Sequence, residues 1–413
     1  MFKVHGRIYT FDMINASEAL QIILDNTPRL GIEKVALLDA LGRILAEDIV
    51  AKEDLPPFNN SSMDGFAVAS SDLIHATKEE PCVMRIIGES SAGNVFSRRV
   101  SPGQTARVMT GGMIPKGTDS VIPIEQATEP DKDKVQFTGP IKIGQFVRAI
   151  GEDVERGETV LREGQSITPG ALGVLAALGH NQLRVYRRPL VDIIATGDEV
   201  VEISKKPGRG RIRNSNSYSL AGHVHTAGGM PRLLGIAPDK EKDLRKKISE
   251  GLNADVLLIT GGVSVGKYDL VKDVLSDLGV EIKFWRVNIK PGKPLVFGRR
   301  KKTLVFGLPG NPVSTSVTFL QFVQPALLRM KGSTEVQPMR FSASIDRDFL
   351  KSDGKRHFVR GIAFQRSGEL HVATTGTQSS GAMSSMSKAN CLIVIPEDVS
   401  LVKKGEKVEV EFL

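Results

Sequence analysis

Three stretches of this chain run from a short apolar segment straight into a glycine-rich turn. Residues 254–260 (ADVLLIT) lead into Gly261-Gly262-Val263-Ser264-Val265-Gly266, residues 303–306 (TLVF) into Gly307-Leu308-Pro309-Gly310-Asn311-Pro312, and residues 191–195 (VDIIA) into Thr196-Gly197-Asp198-Glu199. A strand that ends in such a turn and feeds a helix presents bare backbone N–H groups, and the positive end of the helix, to an anion. Three such ends within one stretch predict an α/β arrangement: a single parallel sheet with a phosphate-sized site along its carboxyl edge.

The chain has 413 residues, which at roughly 100–200 residues per domain predicts two to four domains. Residues 16–51 read as helical: Ser17 can cap a helix carrying Leu20, Ile22, Ile23 and Leu24, and residues 35–45 repeat apolar side chains at helical spacing. Residues 54–62 (DLPPFNNSS) break regular structure. Strands then dominate (65–68, 83–87, 105–109, 120–124), separated by Gly and Pro turns. Residues 151–183 return to helix and turn, with Thr168-Pro169-Gly170 opening a helix. The pattern reads as a discontinuous helical or linker domain (1–55 plus 151–187) carrying an inserted β domain (56–150). From 188 to 332 strands alternate with helices expected near 217–227, 239–252, 268–278 and 312–330, as in a doubly wound α/β domain. Residues 333–413 read as a C-terminal β domain, in which 408–412 alternates apolar and acidic residues like a half-buried strand.

Composition excludes several classes. No apolar run approaches the roughly 20 residues that cross a bilayer, and residues 1–7 lack a signal-peptide core, so a cytoplasmic protein without a membrane partner is expected. The net charge is +8 with 5% aromatic residues and one Trp. Stacking platforms for nucleic acid are therefore scarce and none is expected to bind; a small anionic ligand fits the charge excess. The basic clusters at 205–206, 246–247 and 299–302 read as solvated surface. Cys82 and Cys391 lack metal-ligand spacing and read as ordinary thiols.

Several constellations carry possible chemistry. Gly261, four residues, then Gly266-Lys267 nearly spells a P-loop, but Tyr268 stands where a small hydroxyl would hold Mg²⁺; an anion site of another kind, or a plain tight turn, are the alternatives. Asp269 can cap the following helix or serve a metal-linked phosphate. Asp198 and Glu199 follow a strand directly, where a cation or a nucleotide hydroxyl would relieve their repulsion; solvated loop acids are the alternative. Lys290-Pro291-Gly292-Lys293-Pro294 sets two ammonium groups around a stiff turn, suited to a small dianion or simply to the surface. Asn59-Asn60-Ser61-Ser62-Met63-Asp64-Gly65 is long for a plain turn. Asn214-Ser215-Asn216-Ser217 precedes a helix, and capping explains one of the four. His223 and His225 lie on different helix faces and form no shared ligand set.

Taken in order, these pieces resemble one family, the molybdopterin molybdenumtransferases (molybdenum insertases), to which the C-terminal region of gephyrin is related. The matching stretches are 57–68 (PFNNSSMDGFAV), 109–112 (MTGG), 151–154 (GEDV), 195–200 (ATGDEV), 260–266 (TGGVSVG), 290–294 (KPGKP), 307–314 (GLPGNPVS) and 389–390 (AN). Each alone is weak; the ordered set spans nearly the whole chain and is specific. The resemblance implies four domains per subunit and an elongated homodimer in which the β domain of one subunit meets the α/β domain of the other. The implied reaction inserts molybdate into adenylylated molybdopterin with Mg²⁺-dependent hydrolysis of the phosphoanhydride and release of AMP.

The resemblance also implies roles for residues. Thr196, Gly197, Asp198, Asn214, Ser215, Asn216, Gly261, Gly262, Ser264, Gly266, Pro309, Gly310 and Asn311 would bind the pterin-linked phosphates. Lys290, Lys293, Ser314, Arg360 and Ser380 would hold molybdate, and Glu199 and Asp269 would organise Mg²⁺. Asp64, Thr110 and Asp153 would enter from the partner subunit, Asp64 as a base or a water-orienting group. Implied partners are a molybdopterin adenylyltransferase and apo-molybdoenzymes. Thr260 stands where many relatives carry serine, and residues 377–386 are unusually serine-rich; either Arg356 or Arg360 could face the site. The alternatives are a non-catalytic molybdopterin-binding scaffold, or a molybdopterin adenylyltransferase, whose acidic motif after the glycine turn is missing here.

Overall fold

A computed structural model describes residues 13–262 and 270–413, together with the backbone of two paired strands, Phe2–Val4 and Arg7–Tyr9. Its centre is a six-stranded sheet in the order Met230–Ala237, Leu190–Thr196, Val256–Thr260, Thr303–Leu308, Pro294–Arg300, Glu281–Arg286. The first four strands are parallel, as expected. Pro294–Arg300 runs against them, antiparallel to both Thr303–Leu308 and Glu281–Arg286, which corrects the expectation of a purely parallel sheet. The reason is local: Pro294–Arg300 and Thr303–Leu308 are joined by only Lys301 and Lys302, with Lys301 at φ 55°. So short a link makes a hairpin, whereas a parallel crossover needs a dozen or more residues.

Alternation along the parallel strands loads both faces. Val191, Ile193, Val256, Leu258, Leu304 and Phe306 enter one buried cluster. Ile194, Leu257, Ile259 and Val305 enter the other. Each such side chain contributes about 1.5–3 kcal/mol when buried. The chain passes from the Leu190 strand to a neighbour on one side and then crosses to the other side, so strand order reverses between Leu190–Thr196 and Val256–Thr260. Ligand crevices of open α/β sheets open at such a reversal, at the carboxyl ends of the strands.

Helices stand at Ser215–Thr226, Glu241–Gly251 and Leu270–Asp277. The expected helix near 312–330 is Pro312–Thr318 and Gln324–Met330 joined by a π-helical turn, Phe319–Val323. Pro325 has no N–H to give the preceding turn, and its ring crowds the carbonyl there, which accounts for the widening.

The N-terminal reading needs two corrections. The helix Ala16–Asp25 is capped by Asn15, whose side chain accepts the Glu18 N–H at 2.8 Å, not by Ser17. Residues 35–45 are not helical: Ile32–Ala36 is a strand paired antiparallel with Gln182–Tyr186, followed by a single 3₁₀ turn, Leu38–Ala40. A five-residue ladder overrides the periodicity, and Gly42 at φ 70° ends the turn. Ala40, Leu45, Ile49, Ile167, Leu175 and Val185 share one core, so chain on both sides of the β insertion packs together. Ala16, Ala19 and Ile23 instead join the core of the α/β layer.

The insertion forms a second six-stranded sheet around Phe66, Leu73, Met84 and Phe137. At the C-terminus, Arg340–Ile345, Arg356–Arg366, Glu369–Thr374, Cys391–Ile395 and Lys407–Phe412 pair in a closed ring, which leaves no free edge within it. A short strand from the α/β region, Ile289–Lys290, pairs onto Arg356–His357 and joins the lysine turn to this barrel.

Candidate functional site

At the sheet reversal lies a cavity of about 130 Å³. Thr196, Glu199, Asn214, Ser215, Asn216, Gly261, Gly310 and Asn311 all line it, so three glycine turns and one helix start converge as the sequence predicts. Asn214 caps the helix Ser215–Thr226 by accepting the Ser217 N–H at 3.2 Å. That cap turns Asn216 inward, where its Nδ2 donates to Thr260 Oγ1 at 2.9 Å and to the Gly310 carbonyl at 2.8 Å. Thr260 in turn donates to the Pro309 carbonyl at 3.2 Å. One amide thereby ties together the ends of two strands.

Two buried oxygens in this wall, Thr196 Oγ1 and Asn216 Oδ1, have no hydrogen-bond partner among the described residues. Leaving a buried polar atom unpaired costs about 1–3 kcal/mol, so the pair marks where a ligand would supply partners. A hydroxyl can donate to a phosphate oxygen, and an amide oxygen can accept from an amino or ring N–H. Gly261 at φ 90° and Gly262 at φ 64° close the wall, and a Cβ at Gly261 would stand 2.7 Å from the Thr196 carbonyl oxygen. Ser264, Gly266 and Asp269 lie outside the described residues.

Acids gather at the same edge. The Glu199 carboxylate folds over Gly197, and the Asp239 N–H donates to Asp198 Oδ1 at 3.1 Å. Asp239 carries no role in the sequence reading, yet it follows the end of a parallel strand just as Asp198 does, which is the signal that points to it. Burial, and then the charges of Asp198 and Glu199, raise its carboxyl above the usual range. A cation would relieve this repulsion, but among the described residues no three ligand side chains come together as a metal site. A carboxyl with a folded-state pKa above its unfolded one lowers stability as pH rises between the two values. Asp239→Asn is therefore expected to melt higher than the parent at pH 7 in EDTA, with the difference vanishing below about pH 3.9; thermal melts at the two pH values check this.

The lysine turn is separate from this cavity. Lys290 Nζ lies 3.2 Å from Asp353 Oδ2, and Asp353 also receives Lys355 Nζ at 3.2 Å and contacts His357 Nε2 at 2.7 Å. Those partners hold the Asp353 carboxyl far below its ordinary value against its burial. Lys293 is exposed and Ser314 is buried in the helix Pro312–Thr318. Gly292 packs where a side chain would meet Thr318 of that helix.

Of the two arginines, Arg356 pairs with Glu397 at 3.1 Å and reaches Ser17 at 3.3 Å, facing the first helix. Arg360 is 1% exposed and donates to Ser385 Oγ and to the Thr377 and Ser379 carbonyls at 3.0–3.3 Å. It fixes the serine-rich loop, which delivers Ser380 to Asn311: Asn311 Nδ2 donates to Ser380 Oγ at 3.1 Å, and the Val313 N–H to the Ser380 carbonyl at 3.1 Å. Arg360 thus acts on the cavity rim through the loop.

Asp64 and Thr110 meet at one end of the inserted domain. Residues 59–62 are bonded on one side to 111–114 and on the other to 146–150. Asp64 Oδ1 accepts the Thr110 N–H at 2.7 Å and its hydroxyl at 2.8 Å, and these bonds hold the carboxyl below its usual range. So depressed a carboxylate is a weak base and a firm hydrogen-bond acceptor. Asp153 follows the inserted domain and is exposed, its N–H on the Leu55 carbonyl at 3.0 Å. None of the three lines the cavity.

Known proteins show the same organisation. Residues 14–179 match the MoeA N-terminal region (domain I and II), residues 192–329 a probable molybdopterin binding domain, and residues 342–413 the MoeA C-terminal region (domain IV). The chain is 37% identical over 403 residues to a molybdopterin molybdenumtransferase of Haemophilus influenzae, covering 97% of this chain and 98% of that protein. It is 34% identical to that of Bacillus subtilis, covering 92% and 89%. A crystal structure of the molybdopterin biosynthesis moeA protein from Pyrococcus horikoshii superposes with a TM-score of 0.85 at 33% identity, covering 97% of this chain and all of that one.

Proposed function

Since the chain belongs to the molybdopterin molybdenumtransferase family, we propose that it inserts molybdate into adenylylated molybdopterin and releases AMP. The observation that carries this reading is the pair of unpartnered buried oxygens, Thr196 Oγ1 and Asn216 Oδ1, in a wall built of three glycine turns. The hydroxyl suits a phosphate oxygen and the amide oxygen suits a pterin N–H. The glycine turns add backbone donors for the phosphates. In the overall change, water adds to one phosphorus of the anhydride, the bridging P–O bond breaks and AMP leaves, while the two dithiolene sulfurs bind molybdenum, their protons leaving as water with one oxygen of molybdate.

Glu199 and Asp269 would hold Mg²⁺, which when bound would neutralise charge on the anhydride. Lys290 and Lys293 attract the molybdate dianion, Lys290 exchanging Asp353 for it. Arg360 keeps Ser380 in place beside Asn311.

The cavity is smaller than the roughly 300–1,000 Å³ of ligand sites in general, so most of the substrate extends beyond it. That supports completion of the site by a second copy of the chain in a homodimer, whose Asp64, Thr110 and Asp153 close the cleft. Asp64 then orients water or substrate as an ionised acceptor. An adenylyltransferase supplies the substrate and apo-molybdoenzymes take the product, in the cytoplasm.

AMP release from adenylylated molybdopterin tests the reading. Release that requires molybdate and Mg²⁺, stops with EDTA and yields cofactor able to activate an apo-molybdoenzyme is expected. Binding with no release under any metal or oxyanion would instead favour a scaffold.

A further inference from the structure

The segment 203–213 (ISKKPGRGRIR) carries Lys205, Lys206, Arg209, Arg211 and Arg213 and no acid, so it supplies five of the chain's excess of eight positive charges. All five side chains are exposed, and none has an ion-pair partner among the described residues. The segment is anchored at both ends. Val200 pairs with Ile212 and Val201 with Arg213 in parallel, and the Ile212 N–H donates to the Glu199 carbonyl at 2.9 Å. Ile212 and Arg213 are themselves walls of the cavity with the unpartnered oxygens. Arg213 Nε donates to the Ile203 and Lys205 carbonyls at 3.1 and 3.2 Å, which folds the arm back on itself. Its two terminal nitrogens have no partner among the described residues.

We propose that residues 203–213 form a cationic collar at the cavity mouth that captures the phosphoanhydride end of the substrate and steers it in. This rests on the reading of the site given above, and adds residues to which that reading gives no role. Five like charges held on a short arm repel one another unless an anion joins them, and here they flank a cavity whose floor lacks a partner. An acidic protein surface would also suit the charge. The anchoring of the arm in the cavity wall favours the small anion.

Fields of this kind raise association rates by about 10–10³-fold, and fade over a Debye length of about 8 Å at physiological salt. The test uses the full chain and ADP carrying a fluorescent ribose label, a soluble phosphoanhydride, mixed by stopped flow at low and physiological salt. The variant is Lys205→Gln/Lys206→Gln/Arg209→Gln/Arg211→Gln. The charge-matched control is Arg299→Gln/Arg300→Gln/Lys301→Gln/Lys302→Gln, in the hairpin between Pro294–Arg300 and Thr303–Leu308. The collar variant is expected to associate at least about 10-fold more slowly at low salt and to lose most of its salt dependence, while the control follows the parent. Equal losses in both variants would reduce the effect to net charge and overturn the proposal. So would unchanged rates, or absence of ADP binding to the parent. Unchanged ADP association, with turnover lost only when a second protein delivers the substrate, would reassign the arm to an acidic protein surface. Collar-dependent ADP capture by a parent protein that releases no AMP would keep the collar and sink the insertase reading instead.

Discussion

An Asp64→Asn protein and a Glu199→Gln protein, each about 10²–10³-fold down in molybdate-dependent AMP release, are expected to recover when the two are co-expressed with different tags. In one chain these acids sit apart: Glu199 lines the cavity of the α/β sheet and Asp64 lies at the end of the inserted domain, bonded to Thr110. If each working cleft draws Glu199 from one copy and Asp64 from the other, a mixed dimer has one cleft with both defects and one with neither. Random pairing then restores about a quarter of parental turnover. Clefts built within single chains would give no recovery, which would sink the two-subunit site while leaving the insertase reading intact. The substitutions keep shape and remove only charge, so folding is expected to be unchanged, and circular dichroism melts serve as the control. Asn at position 64 loses the negative charge but keeps an acceptor oxygen for Thr110, so the loss reads the charge and not the loop.

Gly261→Ala is expected to be the most damaging single-atom change in the α/β sheet. Gly261 has φ 90°, and an added Cβ would meet the Thr196 carbonyl oxygen at 2.7 Å and Thr196 Oγ1 at 2.9 Å. Gly157 offers the comparison, since it has φ 95° with nothing within 4 Å of its added Cβ. Both substitutions carry the left-handed backbone cost of about 1–2 kcal/mol. Only Gly261→Ala adds the crowding, about 1–3 kcal/mol more. Gly261→Ala should therefore melt below Gly157→Ala by on the order of 5 °C and lose turnover, since relief of the clash displaces Thr196 from the cavity wall. Equal melting temperatures would mean that Thr196 moves aside freely and that the wall is not rigid.

Much of this site is legible in the sequence because the determinants are local. Glycine after an apolar run fixes where a strand stops, and the chemistry of the next residues places Thr196, Glu199, Asn216, Gly261 and Asn311 at one edge. Arg360 shows the limit. Its sequence neighbourhood says nothing of the Thr377 and Ser379 carbonyls it holds, so an oxyanion contact and a loop anchor look alike until the chain is folded. Asp239 shows the opposite case, a residue with a readable position whose raised carboxyl depends on burial and then on Asp198 and Glu199 beyond the end of another strand. Residues 35–45 misled because short periodicity is weak against a ladder contributed by chain about 150 residues away.

The sequence by itself determined the strand-to-glycine turns of the α/β sheet and the identity of the polar groups at the carboxyl edge. These follow from nearest-neighbour backbone chemistry, which does not depend on what packs above it. Only the tertiary structure decided that the sheet ends in antiparallel pairs, that Asn216 joins two strand ends, that Thr196 and Asn216 each keep an oxygen unpartnered among the described residues, and that Lys290 is held by Asp353. Each of these is a meeting of groups far apart along the chain, and a hydrogen bond between distant residues leaves no mark on either one's neighbours.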